Sequence, residues 1–417
     1  MIELIERIIV TPIAFPDPPL LNATGAHEPL ALRTIVELIG SAGTVGLGEA
    51  HGGARLLGDI ESVANAVVGL PVSAIGAARV RAQALLGSVR ADRAFSPIEV
   101  AMSDAFARVL GAPVVDLLGG AVRERVEFSG YLFYKWGRHL DDSGPDAWGE
   151  VSTPNDVLAL ARCLESEHGF RSWKLKGGVQ SLADEIAAVQ SLHAAFPDAP
   201  VRLDPNCRWT FEASVEASHQ LEGVVEYLED PCDGLDRMAK LRTATRVPLA
   251  TNMLAEDFTS HAAVLRSRGA DIVLLDHHVV GGLSRAVALA HMCQAFDIGV
   301  SMHSNSHLGI SFAAMVHLAA AVTGDTRAND THYPWNQDHD IITGGPLRIV
   351  GGSIGIPSGP GLGVALDQEL LAEAHDRYLA SGIRERGDAA YARRAHPGFS
   401  QARGTWTMAS PGWSWSH

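Results

Sequence analysis

The chain contains 417 residues with a formal net charge of −15; 47% of the residues are hydrophobic and 19% are charged. This length favours two domains and permits a substantial buried core. No apolar run approaches the ~20 residues that a membrane-spanning helix needs. No basic stretch is interleaved with aromatic residues, so the sequence predicts neither a membrane nor a nucleic-acid partner.

The N-terminal residues predict a cytoplasmic protein. They are acidic where a secretory signal would carry basic residues. The four cysteines show no CxxC or metal-type spacing, which favours reduced thiols without a chemical role. These cysteines are Cys163, Cys207, Cys232 and Cys293.

Residues 1–125 are predicted to form an α+β domain. An alternating apolar segment at 34–39 indicates a strand, and residues 98–118 follow a helical pattern. Between the N-terminus and that strand, residues 16–25 are rich in Pro and Gly and are expected to form a loop.

From residue 126 onward, short strand-like runs alternate with helical ones. The predicted strands are 126–133, 173–176, 201–204, 225–229, 249–252, 272–276 and 300–303. The last six end in steps of 28, 25, 23, 24 and 27 residues, the length of one strand–helix unit. This regularity predicts a βα barrel over residues 126–362, with an eighth strand beyond Asn329. A helix is expected at 368–380, and residues 363–417 are predicted to return to the first domain or to form a loosely held terminus.

Polar side chains end six consecutive barrel units. They are Lys174, Lys176, Asp204, Asn206, Glu229, Asp230, Asn252, Asp276 and His303. Because the carboxyl ends of barrel strands surround one active site, this series predicts a catalytic centre.

Asp204, Glu229 and Asn252 supply oxygen donors from three successive strands. Three converging hard oxygens suit Mg²⁺, which leaves its remaining positions to water or substrate. The alternative is that each residue caps the helix that follows it. The occurrence of all three favours the metal site.

Lys174 and Lys176 point to the same side of their strand. Two adjacent ammonium groups are expected to lower each other's pKa, which makes one lysine a usable general base. The alternatives are a solvated pair of lysines or a Schiff-base lysine, and the latter would not need the metal donors.

His303 follows Asp276 by one barrel unit, so the carboxylate is expected to hold one ring nitrogen of the histidine. The pair then forms an oriented acid–base group. A structural histidine is the alternative, since His277, His278 and His307 lie nearby in the sequence.

Together these motifs resemble the glucarate dehydratase subgroup of the enolase superfamily. The resemblance rests on the motifs Lys174-Leu175-Lys176, Asp204-Pro205-Asn206, Glu229-Asp230-Pro231-Cys232, Ala250-Thr251-Asn252-Met253 and His303-Ser304-Asn305. It extends to the segment from Asp17 to His27, which is similar to that family's mobile substrate-covering loop, here about residues 15–30. The resemblance implies a (β/α)7β barrel, an α+β capping domain completed by the C-terminal segment, and a homo-oligomer.

The family's chemistry implies Mg²⁺-dependent dehydration of an acid sugar of the D-glucarate or L-idarate type to a 4-deoxy-5-keto aldarate. Lys176 and His303 would remove the C5 proton from opposite faces, and His303 would protonate the departing 4-hydroxyl. Lys174 would stabilise the enediolate with the metal, and Asp276 would orient His303.

Substrate contacts are carried over by the same resemblance. They are Asn22, His27, Ser96, Tyr131, Lys174, Asn206, Asn252, His303, Ser304, Asn305, His332 and Arg403. Ser96 stands where the family has Thr, Asp276 is followed by His277 rather than Pro, and the segment after Glu229 is short. These departures leave the enediolate chemistry intact but leave galactarate or an aldonate as alternative substrates. A racemase or epimerase, and a catalytically silent sugar-acid binding protein, are separate alternatives.

Overall fold

The computed structural model describes residues 3–401. Among them, no helix combines the length and the apolar character needed to cross a membrane. The first domain is built on a three-stranded antiparallel sheet in the order β1-β4-β5, with helices packed on one face. Its elements are β1 Ile5–Pro16, β2 Leu21–Asn22, β3 Gly25–Ala26, β4 Leu30–Gly40, β5 Val45–His51, α1 Ala54–Val67, α2 Ile75–Leu86, α3 Ser88–Leu110 and α4 Val114–Leu117.

Strand β4 is buried along nearly its whole length. Ile35 belongs to the large core that includes the barrel, whereas the adjacent Val36 belongs to the core of the first domain. Because successive side chains point to opposite faces of a strand, β4 separates two cores. The first domain therefore packs on the barrel as a cap.

The helix predicted at 98–118 begins earlier and is divided. Helix α3 starts at Ser88 and ends before Gly111, which has φ 68° and terminates the helix in the left-handed conformation. Pro113 then follows, and α4 begins after it. A left-handed glycine with a proline two residues later is a helix stop that the periodicity alone did not reveal.

The second domain is a βα barrel, as predicted. Seven parallel strands lie in the order β13-β12-β11-β10-β9-β8-β7. The elements from here to the end of the barrel are β6 Arg125–Glu127, β7 Gly130–Phe133, α5 Pro154–His168, β8 Trp173–Lys176, α6 Leu182–Ala195, β9 Val201–Asp204, α7 Phe211–Gln220, β10 Tyr227–Glu229, α8 Leu235–Ala244, β11 Leu249–Thr251, α9 Phe258–Ser267, β12 Ile272–Leu275, α10 His277–Val280, α11 Leu283–Ala295, β13 Gly299–Met302, α12 Gly309–Ala321, α13 Tyr333–Asn336, a 3-10 turn Gln337–His339 and β14 Ser353–Gly355.

Two details of the predicted barrel are corrected. The run 126–133 is not one strand, because β6 pairs antiparallel with β14 and only β7 joins the barrel. The eighth position lies at residues 326–329 rather than beyond Asn329. There, Thr326 and Asn329 form isolated parallel bridges to Val300 and Phe128.

The C-terminal segment contains α14 Gln368–Ser381 and α15 Asp388–Ala395. His375 Nδ1 lies 2.7 Å from the Pro12 carbonyl oxygen, and Arg377 donates to the Ala14 carbonyl at 3.1 Å. Helix α14 thus packs on β1 of the cap, and α15 packs beside β3.

Candidate active site

The predicted catalytic residues meet at the carboxyl ends of the barrel strands. Lys174 and Lys176 lie on β8, Asp204 ends β9, Glu229 ends β10, and Asn252 follows β11. The parallel register places Lys176 opposite Asp204. Adjacent strands therefore bring a cation and an anion together without any long loop.

Lys174 is completely buried among three carboxylates. Its Nζ lies 2.6 Å from Glu229 Oε2, 2.5 Å from Asp330 Oδ2 and 3.3 Å from Asp204 Oδ2. Burial lowers the pKa of Lys174, but the charges of Asp330 and Glu229 outweigh burial and hold this pKa well above its ordinary value. Lys174 is therefore a fixed positive charge.

Lys176 is also held by anions. Its Nζ donates to Asp204 Oδ2 at 2.6 Å and to Asn206 Oδ1 at 2.7 Å. Burial and the neighbouring Lys174 both lower the pKa of Lys176, yet Asp204 raises the pKa above its ordinary range. Lys174 thus lowers the pKa of Lys176 as expected, but the Asp204 carboxylate outweighs this effect, so the lysine pair alone does not make Lys176 a neutral base.

The three predicted metal ligands do not cap the helices that follow them. The residues at those cap positions are Thr210, Gly234 and Asp257. Glu229 Oε1 and Asn252 Oδ1 are buried oxygens without a hydrogen-bond partner among the described residues. Buried acceptors left without donors are costly, and two such oxygens beside the Asp204 carboxylate fit a hard divalent cation.

Asp230 fixes the position of the amide ligand. Its carboxylate accepts hydrogen bonds from Thr251 Oγ1 at 2.5 Å, from the Asn252 N–H at 2.9 Å and from the Met253 N–H at 3.1 Å. Asp230 itself has φ 41°, a conformation that is uncommon for a residue other than Gly or Asn. Its side chain thus ties the end of β10 to the loop after β11.

Asp276 and His303 form the predicted pair. His303 Nδ1 lies 3.0 Å from Asp276 Oδ2, while Asp276 Oδ1 lies 2.7 Å from His278 Nδ1 and caps α10 by accepting the His278 N–H at 2.9 Å. Burial raises the pKa of Asp276, but the two histidines outweigh burial and hold the pKa well below its ordinary value. Asp276 is therefore an ionised acceptor shared by both rings.

A cavity of about 320 Å³ lies above the lysines, between barrel and cap. Eight of the predicted substrate contacts line it, together with the predicted base Lys176. The eight are Asn22, His27, Tyr131, Asn206, His303, Ser304, Asn305 and His332. Lys174 lies deeper, with its Nζ 5.0 Å from the centroid of the Tyr131 ring. Asn252 and Asp276 line a second cavity of about 190 Å³, which His303 also borders.

The loop after β1 closes one side of this cavity. His27 Nδ1 lies 3.0 Å from Asp17 Oδ2, and Arg386 Nη1 lies 2.8 Å from the same oxygen. Arg386 Nη2 is buried without a hydrogen-bond partner among the described residues. The loop and the C-terminal segment therefore meet over the cavity through a shared carboxylate.

Ser96 is a further expected substrate contact that does not line this cavity. Ser96 is buried on α3, where its hydroxyl donates to the His277 carbonyl at 2.7 Å. Arg403 lies outside the described residues. The C-terminal arginine that does line the cavity is Arg386, which the sequence analysis did not select because no local pattern distinguishes it from other arginines of the segment.

Sequence reasoning also missed residues that support the site. Asp330, Arg33, Glu49 and His278 are buried and polar. Asp330 directly follows the eighth barrel position, so the rule that barrel strand ends carry function could have identified it. Arg33 and Glu49 belong to the cap and gave no such signal.

Comparison with known proteins agrees with this geometry. A family model described as "Enolase C-terminal domain-like" matches residues 156–370, and one described as "Mandelate racemase / muconate lactonizing enzyme, N-terminal domain" matches residues 6–119. A Streptomyces coelicolor protein named "Probable glucarate dehydratase" is 44% identical over 417 aligned residues, which cover 94% of this chain and 96% of that protein.

Solved structures show the same architecture. A Thermobispora bispora enolase complexed with magnesium and formate has a TM-score of 0.94 at 45% identity, over 97% of this chain and 100% of that one. A Mycobacterium smegmatis enolase complexed with tartrate has a TM-score of 0.93 at 46% identity, over 99% of each chain. With both family models matched in order and the barrel and cap in place, the chain belongs to the enolase superfamily.

Proposed function

We propose that the protein is a Mg²⁺-dependent dehydratase that converts an acid sugar of the D-glucarate or L-idarate type to a 4-deoxy-5-keto aldarate. The observation that carries this proposal is that Lys176 and His303, from different strands, line one cavity, and that Lys176 Nζ contacts the candidate metal ligand Asp204. Similarity to the protein named as a glucarate dehydratase supports the same reaction class.

Asp204, Glu229 and Asn252 would hold the cation, as the unpartnered oxygens of Glu229 and Asn252 suggest. Bound there, Mg²⁺ supplies positive charge that makes the α-proton of a substrate carboxylate easier to remove. Lys174 adds a second positive charge. Its three carboxylate partners keep it protonated, so we assign it to charge stabilisation and not to proton transfer.

The two bases receive separate roles. Lys176 Nζ takes the C5 proton from one epimer as the neutral amine, after it has lost a proton to solvent and left its hydrogen bond to Asp204. Asp204 would accept that hydrogen bond less strongly while holding a cation, which favours the loss of the proton. His303 takes the C5 proton from the other epimer. With Nδ1 held by Asp276, the Nε2 of His303 is the nitrogen available to the cavity, and it returns a proton to the departing 4-hydroxyl.

The cavity favours a diacid over a monoacid. Besides Lys176 near Asp204, it contains Arg386, whose Nη2 is buried without a hydrogen-bond partner among the described residues, and His27, which shares the Asp17 carboxylate with Arg386. A buried guanidinium donor is a strong partner for a carboxylate. A second carboxylate at the far end of the sugar would fill this role, which supports an aldarate as the substrate.

The test measures turnover of a panel of aldarates and aldonates. Keto-acid formation is the readout, with Mg²⁺ present and after full chelation. We expect keto-acid formation from glucarate and idarate that stops on chelation. Turnover that survives chelation would exclude the metal-assisted reaction. Deuterium exchange at C5 without keto acid would indicate a racemase or epimerase, and ligand binding without either would indicate a silent binding protein.

A further inference from the structure

We infer that Arg33 of the cap is a positioning residue for the His303 base. Arg33 lies on β4, is buried, and pairs with Glu49 of β5 through an Nε–Oε1 distance of 2.8 Å. Glu49 in turn accepts hydrogen bonds from the Leu308 N–H at 2.9 Å and the Ser311 N–H at 2.8 Å, both at the start of α12. The Arg33–Glu49 pair is thereby anchored to the barrel. The inference rests on the proposed role of His303.

The two remaining Arg33 nitrogens reach groups that touch Asp276. Nη2 lies 3.2 Å from His278 Nε2, and Nη1 donates to Asn305 Oδ1 at 2.8 Å. A guanidinium group only donates, so His278 Nε2 must accept. The hydroxyl of Ser311, 2.5 Å from the same nitrogen, donates there as well.

This arrangement selects one tautomer of His278. With Nε2 accepting, the proton of the neutral ring is on Nδ1, which donates to Asp276 Oδ1 at 2.7 Å. The other carboxylate oxygen, Oδ2, remains for His303 Nδ1 at 3.0 Å. The Asp276 carboxylate is thus prevented from rotating, and the His303 ring is held with Nε2 toward the substrate.

Asn305 is oriented by the same guanidinium. Because its Oδ1 accepts from Arg33, its Nδ2 faces Asp276 Oδ2 at 3.3 Å. The amide could otherwise turn its oxygen toward the carboxylate, where the two oxygens would repel. Arg33 therefore controls both His278 and Asn305, the two neighbours of the Asp276–His303 pair. Lys176, on the opposite side, contacts Asp204 and Asn206.

The experiment compares Arg33→Met and Arg33→Lys with wild-type holoenzyme by C5 exchange in D₂O, using two substrates epimeric at C5. We expect a loss of about 100-fold for the epimer served by His303, the scale for a misplaced catalytic group. Exchange on the epimer served by Lys176 should change little. Arg90→Met is the control, because within residues 3–401 the only ion pair of Arg90 is with Asp59, on the exposed side of the cap.

Equal losses on both epimers would overturn the inference, since they would indicate a structural or general substrate-binding role. A second measurement needs no Arg33 variant. In ¹⁵N-histidine-labelled wild-type protein, the His278 resonances, assigned by their loss in His278→Gln, should show the Nδ1–H tautomer; an Nε2–H or doubly protonated ring would refute the inference. Absence of any C5 exchange by wild-type enzyme would instead refute the proposed function and leave the tautomer result to be judged separately.

Discussion

The two sides of the candidate active site are built in different ways. On the lysine side, Lys174, Lys176, Asp204 and Glu229 come from three adjacent barrel strands and contact one another directly. On the histidine side, Asp276 holds the ring of His303. Asp276 also contacts His278, which in turn contacts the cap. The first side is complete within the barrel, whereas the second needs the cap docked on it.

This difference predicts different sensitivities. Short contacts between neighbouring strands are set by sheet register, so the lysine side should form whenever the barrel folds. The histidine side joins residues up to 272 positions apart, as in the Arg33–Asn305 hydrogen bond. It should therefore be the side on which remote substitutions change activity on one epimer only.

The largest expected effect comes from substituting a proposed metal ligand. Glu229→Gln should lower turnover of both epimers by more than about 10⁴-fold, since the cation and the Lys174 contact are both disturbed. Steady-state kinetics with saturating Mg²⁺ measures this. Glu226→Gln is the control, because Glu226 pairs with Arg202 and Arg327 just before β10. Loss confined to one epimer would contradict the proposed common role of Glu229.

The next effect divides the two sides. Lys176→Ala should reduce C5 exchange on one epimer by about 10² to 10⁴-fold, and His303→Asn should do so on the other, the range for a lost general base. Exchange in D₂O followed by NMR separates the two. Lys240→Met and His291→Asn, both exposed positions, serve as controls. Equal loss of both epimers in each variant would refute the assignment of opposed bases.

A smaller effect is expected where the loop meets the C-terminal segment. Arg386→Met should raise KM for diacids by about 10- to 100-fold, the value of a hydrogen bond to a charged group. KM for an aldonate should change less, because the second carboxylate is missing. Arg393→Met on the exposed face of α15 is the matched control. An equal rise for aldarate and aldonate would mean that Arg386 does not recognise the far carboxylate.

The last prediction concerns stability, and we expect it to have the smallest effect on catalysis. Glu185 is a buried residue near the lysine side. It accepts the Val179 and Gln180 N–H groups at 2.8 and 3.0 Å, in the loop after β8. Burial raises the pKa of Glu185 from 4.5 to about 7. Between those values the folded protein holds a proton that the unfolded chain has released, so the free energy of unfolding falls as pH rises, by about 3 kcal/mol at most.

Glu185→Gln should remove this contribution to the pH dependence of the free energy of unfolding. Urea unfolding at pH 5 and pH 8 should show a smaller loss of stability in the variant than in wild type. Glu165→Gln, an exposed position on α5, should leave the slope unchanged. Identical slopes in Glu185→Gln and wild type would show that Glu185 ionises normally in the folded protein.

The sequence alone predicted the barrel, the cap and the series of polar strand ends. Short strand-like runs separated at regular intervals by helical stretches predict parallel barrel strands, and residues at the strand ends are then expected to surround one site. Lys176, Asp204 and Glu229 could therefore be assigned to one centre without any tertiary information. Asp276 and His303 followed by the same rule, because their strands are adjacent.

Only the tertiary structure decided what surrounds these residues. The charge state of Lys176 depends on its 2.6 Å contact with Asp204, and a pattern of residue types contains no distances. Ser96 proved to bond the His277 carbonyl, and Arg386 of the C-terminal segment lines the cavity together with Arg33 of the cap. The Arg33–Glu49 pair reaches the neighbours of the Asp276–His303 pair only because the cap docks on the barrel. Strand periodicity records local geometry, whereas contacts between domains arise from packing that no local pattern contains.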